Sequence, residues 1–192
     1  PDGRPLLWKN RDTDFMRNHV DYVKGEKYDF IAVVNSANAY LKEAWMGTNS
    51  AGFALMNTQS YNLVDVKGDE ERGAANGRII YRALEVCATV EDFCHFLDTI
   101  SKPSDIEANF GVIDAQGGAA MFEVDYHKYV MCDANNPKDA PYGYIARTNF
   151  SFAGKVNEGA GYVRYMEADQ VLMKASATGS ITPQFIFNDL SR

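Results

Sequence analysis

Asparagine, lysine and aspartate recur where extended apolar segments of this chain stop, and these are the side chains whose types and positions could do chemistry. Lys9, Asn10, Arg11 and Asp12 cluster behind the segment Arg4–Trp8. Asn57 ends the run Phe53–Met56, and Asn149 ends the run Tyr144–Thr148. A primary amide held at a strand end can donate a hydrogen bond to a developing oxyanion, and a carboxylate beside an amine can hold it in a reactive pose. Each residue also has a plainer reading. Asn and Asp at strand ends close local turns, and Lys and Arg usually face water.

Other chemistries find little support. His19, His95 and His127 are scattered, with no HxxH or HExxH spacing to hold a metal. Cys94 and His95 are adjacent, but neighbours on a helix point roughly 100° apart and do not face one another. No GxSxG elbow is present. The three cysteines, Cys87, Cys94 and Cys132, form no CxxC pair, and Cys87 and Cys94 read as small buried hydrophobes. No cofactor is implied. The formal net charge is −7, from 26 acidic and 19 basic residues, which disfavours nucleic acid and an electrostatic membrane anchor. No apolar run approaches the roughly 18 residues of a membrane span.

These residues need a scaffold, and 192 residues with 46% hydrophobic side chains can build one sizeable core. A turn at Asp2–Gly3 is expected to open a first strand over Arg4–Asp12. Phe30–Val34 reads as a buried strand. Ala44–Gly47 and Phe53–Asn57 read as a hairpin joined by Thr48–Gly52. Val64–Asn76 reads as a surface loop. A helix over Gly77–Ala88 has Asn76 as its candidate N-cap. A second opens at Thr89, with Asp92 completing a capping box, and ends before Pro103. Strands return at Ala108–Asp114, Ala119–Val124, Tyr129–Cys132 and Tyr144–Asn149. Tyr162–Met173 and Thr182–Leu190 read as helices, the latter with Pro183 at its first position. Segregated blocks of strands and helices imply an α+β fold with antiparallel sheets and helices on their outer faces.

Taken together and in order, four segments resemble the choloylglycine hydrolase and penicillin acyltransferase-like families of the N-terminal-nucleophile (Ntn) hydrolase superfamily. Asp2–Asp12 is similar to their strand ending in Arg/Lys-Asn-x-Asp. Gly47–Asn57 is similar to their hairpin ending in Asn. Phe110–Gly118 with Phe122–Val124 is similar to their central hairpin, and Ile145–Phe150 to their Thr-Asn strand end. The resemblance implies a four-layer αββα sandwich of two antiparallel sheets. It also implies an autoprocessed N-terminal cysteine nucleophile, expected upstream of Pro1. Residues 1–192 are then a single domain, an internal part of a longer Ntn hydrolase.

The resemblance also assigns roles. Asp12 would hold the α-amino group, Asn57 would supply an oxyanion donor, and Asn149 would orient the amine or the tetrahedral intermediate. Lys9 occupies a position near the nucleophile that is usually Arg. The implied function is hydrolysis of linear carbon–nitrogen amides of a small-molecule substrate, with an acyltransferase on the same scaffold as the alternative. A non-enzymatic binding module or inactive paralogue is the third reading, since no cysteine lies near Pro1. Trp8, Trp45, Phe15, Tyr61, Phe150 and Phe152 allow a hydrophobic acyl pocket. Homo-oligomerisation is an expectation of the resemblance alone.

Overall fold

The computed structural model describes residues 4–37, 39–63, 73–156 and 159–191. The expected turn at Asp2–Gly3 and residues 64–72 of the expected loop lie outside them. The described residues form one sheet of seven strands in sequence order, every neighbouring pair antiparallel. The strands are β1 (Asn18–Val23), β2 (Phe30–Asn35), β3 (Met46–Asn49), β4 (Ala54–Gln59), β5 (Ala108–Ile113), β6 (Ala119–Val124) and β7 (Tyr129–Asp133). Strand β1 was not expected: its Val20 and Tyr22 are exposed on an edge, so no buried run marks it.

Two helices, α1 (Asn76–Val86) and α2 (Val90–Asp98), cover one face of this sheet. Strand alternation sends Leu55, Phe110, Val112, Phe122 and Val124 to that face, and all are fully buried. Phe110 pairs with Phe122 and Leu55 with Val112 in register, so the side chains stack in rows across the sheet. Phe93 of α2 lands on the first row, its ring edge-on to Phe122 at 5.0 Å and to Phe110 at 5.9 Å. Gly47 lets α1 come close: a Cβ there would sit 2.5 Å from the Ile31 carbonyl oxygen and 2.7 Å from Leu84 Cδ1.

The capping box on α2 forms as expected. Asp92 N donates to Thr89 Oγ1 at 3.0 Å, and Thr89 N donates back to Asp92 Oδ2 at 3.1 Å. Asn76, by contrast, does not cap α1. Ala75 holds that position, and Asn76 is buried as the first helical residue. Its amide bridges instead to the backbone entering β5, donating to the Glu107 carbonyl at 2.9 Å and accepting from Glu107 N at 3.1 Å. Closing the buried Glu107 backbone groups outcompetes a cap that solvent can replace.

The second face is open and is crossed by irregular segments. Residues 4–12 form no strand, contrary to expectation. They lie across the sheet with Leu7 Cδ1 close over Gly111, where a Cβ would stand 2.8 Å from it. Tyr144–Asn149 likewise forms no strand. Both segments are apolar enough to pack, but among the described residues neither meets a free strand edge to pair with. Helix α3 (Ala160–Ala177) packs on the second of them and is longer than the expected Tyr162–Met173. Phe150 meets Tyr162 edge-on at 5.2 Å, and Phe152 meets Tyr165 at 5.1 Å. The chain closes with α4 (Pro183–Phe185), capped by Thr182 and continued as a wider turn over Ile186–Leu190.

Candidate functional site

The β3–β4 ladder ends at the pair Met46–Met56. One residue further, Trp45 and Asn57 no longer pair, and the Lys9 side chain enters the gap between them. Its Nζ donates to the Trp45 carbonyl and to Asn57 Oδ1, each at 3.0 Å. No carboxylate among the described residues pairs with this ammonium. Burial first, and the charge of Arg11 second, lower the Lys9 pKa from 10.5 to about 7.

Arg11 clamps the adjoining strand ends. Its Nη2 donates to Asn35 Oδ1 at 2.6 Å and its Nε to Asn18 Oδ1 at 3.2 Å. Those two asparagines are the pair at the end of the β1–β2 ladder. The guanidinium also lies 5.0 Å above the Trp45 ring, a cation–π contact that fixes the indole. Desolvation lowers the Arg11 pKa as well.

Asn57 is 5% exposed. Its Oδ1 is taken by Lys9, while its Nδ2 has no hydrogen-bond partner among the described residues. Among the described residues the sealed and orphaned side-chain atoms are Trp45 Nε1 and Ser104 Oγ, so Asn57 Nδ2 is there a free donor still reached by solvent. Asn149 differs. Its Nδ2 donates to the Gln59 carbonyl at 2.8 Å and to Thr58 Oγ1 at 3.3 Å, which uses both amide protons. Its Oδ1 accepts from Arg164 of α3 and keeps one lone pair. Lys9 and Asn57 therefore meet where the β3–β4 ladder stops, within β4, while Asn149 bonds Thr58 and Gln59 further along the strand, and the Asn57 and Thr58 side chains alternate to opposite faces. Asp12 does not join them: it is exposed and makes no side-chain hydrogen bond or ion pair among the described residues.

Side-chain amides hold the Asn149 segment where a strand ladder is missing. Asn109 of β5 donates to the Thr148 and Phe150 carbonyls at 3.0 and 3.1 Å. Asn62 donates to the Ser151 and Lys155 carbonyls, each at 2.8 Å, and accepts from Ser151 N at 2.9 Å. Ser151 Oγ lies 2.6 Å from Asn109 Oδ1 and 2.8 Å from Ser60 Oγ, closing the network. Beside it, Arg147 forms a buried ion pair with Glu123 of β6, which also accepts from Phe152 N at 3.1 Å and Ala153 N at 2.6 Å. Sequence reasoning did not find Arg164, Asn62, Asn109 or the Glu123–Arg147 pair. Their partners lie 15 or more residues away, and no local spacing connects them.

Burial disfavours the thiolate form of all three cysteines. Burial, reinforced by Asp92, pushes Cys87 up to about 12. Burial also raises Cys94 and Cys132. Cys94 Sγ turns toward Met131 Sδ at 3.7 Å, away from any dyad with His95. Among the described residues no group of three or more His, Cys, Asp or Glu could hold a metal ion, and no helix is long and apolar enough to cross a membrane.

Lys9 on Asn57 Oδ1 thus leaves one amide donor open where the β3–β4 ladder stops, and Asn149 is bonded to Thr58 and Gln59 further along β4. Over residues 1–170 the chain matches the family described as acyl-coenzyme A:6-aminopenicillanic acid acyl-transferase, and it belongs to that family. Penicillin V acylase from Agrobacterium tumefaciens is similar at 18% identity over 80% of this chain and 43% of its own, with a TM-score of 0.41. A variant of conjugated bile acid hydrolase from Clostridium perfringens is similar at 13% identity over 91% of this chain and 64% of its own, with a TM-score of 0.47. The chain thus spans less than two thirds of the length of either structure. No curated protein sequence matches it.

Proposed function

We propose that the protein to which this chain belongs hydrolyses a linear carbon–nitrogen amide of a small-molecule substrate, through the thiolate of an N-terminal cysteine exposed by autoprocessing. The observation that carries this reading is the free Asn57 Nδ2, left open by Lys9 where the β3–β4 ladder stops. The α-amino group of the cysteine, with an ordinary pKa of about 7.7–8.0, takes the thiol proton. The thiolate adds to the amide carbonyl, and the resulting oxyanion accepts a hydrogen bond from Asn57 Nδ2. Collapse breaks the C–N bond, the leaving amine takes the proton from the α-ammonium, and water then cleaves the acyl-enzyme. Asn149 Oδ1, with its spare lone pair, accepts from the α-ammonium, and Asp12 attracts it once the nucleophilic strand is in place. A second antiparallel sheet laid on the apolar open face, lined by Leu7, Val20, Ile31, Met46, Met56 and Ile113, completes the four-layer sandwich of one domain.

A second reading is favoured by the family match itself: an amine in place of water would make the same acyl-enzyme an acyltransferase. The test uses the full-length protein, its mature N-terminus read by sequencing and intact mass. It is assayed against N-acyl amino acids with and without an added amine acceptor. An N-terminal cysteine and burst release of the amine are expected. Asn57→Ala should cost about 10²–10³ in turnover, and Asp12→Asn and Asn149→Ala at least ~10² each, with the fold intact. Near-wild-type rates in these variants would reject the site. Another mature N-terminus with no turnover would instead favour a binding module.

A further inference from the structure

We propose that Lys9 is a positioning residue that fixes and polarises the side-chain amide of Asn57, so that the oxyanion donor is set by a lysine rather than by the strand that carries it. This deepens the amide-hydrolase reading and rests on it for the meaning of the donor, though not for the Lys9–Asn57 contact itself.

The two ends of an asparagine amide are nearly the same shape, and only the partners decide which way it points. An ammonium has donors alone. It therefore imposes Oδ1 on the side facing Lys9, because Nδ2 there would set donor against donor. Nδ2 is left on the solvent-reached side. The ammonium is itself anchored by the Trp45 carbonyl, so its position is not free to follow the amide. Trp45 is in turn held from two directions: its N donates to the Val33 carbonyl at 3.0 Å, and Arg11 lies over its ring. A hydrogen bond from a charged donor is roughly twice as strong as a neutral one, and drawing electron density toward Oδ1 sharpens the Nδ2 protons.

The charges around Lys9 make the device sensitive to pH. Arg11 lies on its own segment and opposes its proton. Glu43, ahead of β3, is paired with Arg78 of α1 at 3.7 Å. Asp12 stands exposed. With no carboxylate among the described residues to hold it, the ammonium loses its proton near pH 7. The neutral amine still reaches Asn57 but can also accept, so the amide is no longer forced to one orientation and loses polarisation. Oxyanion stabilisation should therefore weaken as pH rises through about 7, opposing the gain from deprotonating the nucleophile's amine.

The experiment is side-chain NMR on the full-length protein, labelled with 15N-asparagine and 13C-lysine, with steady-state kinetics on the same samples. The Lys9 13Cε signal and the Asn57 side-chain amide signal should titrate together, with a midpoint near 7. In Lys9→Arg the amide signal should stop moving. In kinetics, Lys9→Met should lower kcat about 10²-fold with KM nearly unchanged. Lys9→Arg should restore most of kcat and move the alkaline limb of its pH profile upward. An Asn57 amide that stays flat while Lys9 titrates overturns the proposal, as does equal loss in both variants. Joint titration in a protein without amidase activity would uphold the positioning and reject the hydrolase.

Discussion

The two faces of the sheet are held by different physics. On the helix side, Phe93, Phe110, Phe122, Leu55 and Ile80 are sealed from solvent and packed in rows, and their cohesion scales with the area they bury. On the open side, single polar contacts position two irregular segments: Lys9 and Arg11 for the first, Asn62, Asn109, Ser151 and the Glu123–Arg147 pair for the second. The first face sets how stable the fold is. The second sets where the chemical groups stand.

That division can be broken from either side. Phe93→Ala removes the ring at the centre of the aromatic row and should cost about 3–5 kcal/mol of global stability, seen in chemical denaturation as a lower midpoint with an unchanged slope. Arg147→Met leaves the Glu123 carboxylate buried without its cation, and the ordinary cost of such a break is also about 3–5 kcal/mol. Here the loss should be local. Hydrogen exchange should speed up across residues 144–153 before it does in α1 or α2. Equal acceleration everywhere would mean that the two faces are one cooperative unit.

A subtler test uses Lys9. Its folded pKa of about 7 lies below its ordinary 10.5, so between those values the unfolded chain binds the extra proton. Stability should therefore rise with pH across that window, and Lys9→Met should flatten the rise. The smallest effect belongs to the helix side: Thr89→Ala removes half of the capping box and should cost about 1 kcal/mol, with the open-face segments unmoved.

The same contrast explains what could be read from the sequence. Periodicity marked Phe30–Val34, the paired strands around Ala115–Gly118 and both helices, because burial against a neighbouring layer imposes a repeat of two or of about 3.6 residues. The Thr89–Asp92 box was legible because both partners are local. Lys9, Asn57 and Asn149 were picked as strand-end polar residues; Lys9 does meet Asn57, but β4 runs on past Asn57 to Gln59 and residues 144–149 form no strand, and Asp12, chosen by the same rule, stands apart in solvent. Arg4–Asp12 and Tyr144–Asn149 carry strand composition but are held by side chains, and composition does not reveal whether a partner edge exists. Arg164 and Asn62 reach the site from sequence-distant positions, and no single sequence shows such pairings.

The orphaned indole of Trp45 has an optical consequence. The chain has two tryptophans, Trp8 and Trp45, so Trp8→Phe leaves Trp45 as its one indole emitter. That emitter sits beneath the Arg11 guanidinium, and its own carbonyl receives the Lys9 ammonium. Its emission would then follow the local field directly, so the proton on Lys9 could be watched as a shift in colour on a few micrograms of protein, with no substrate needed.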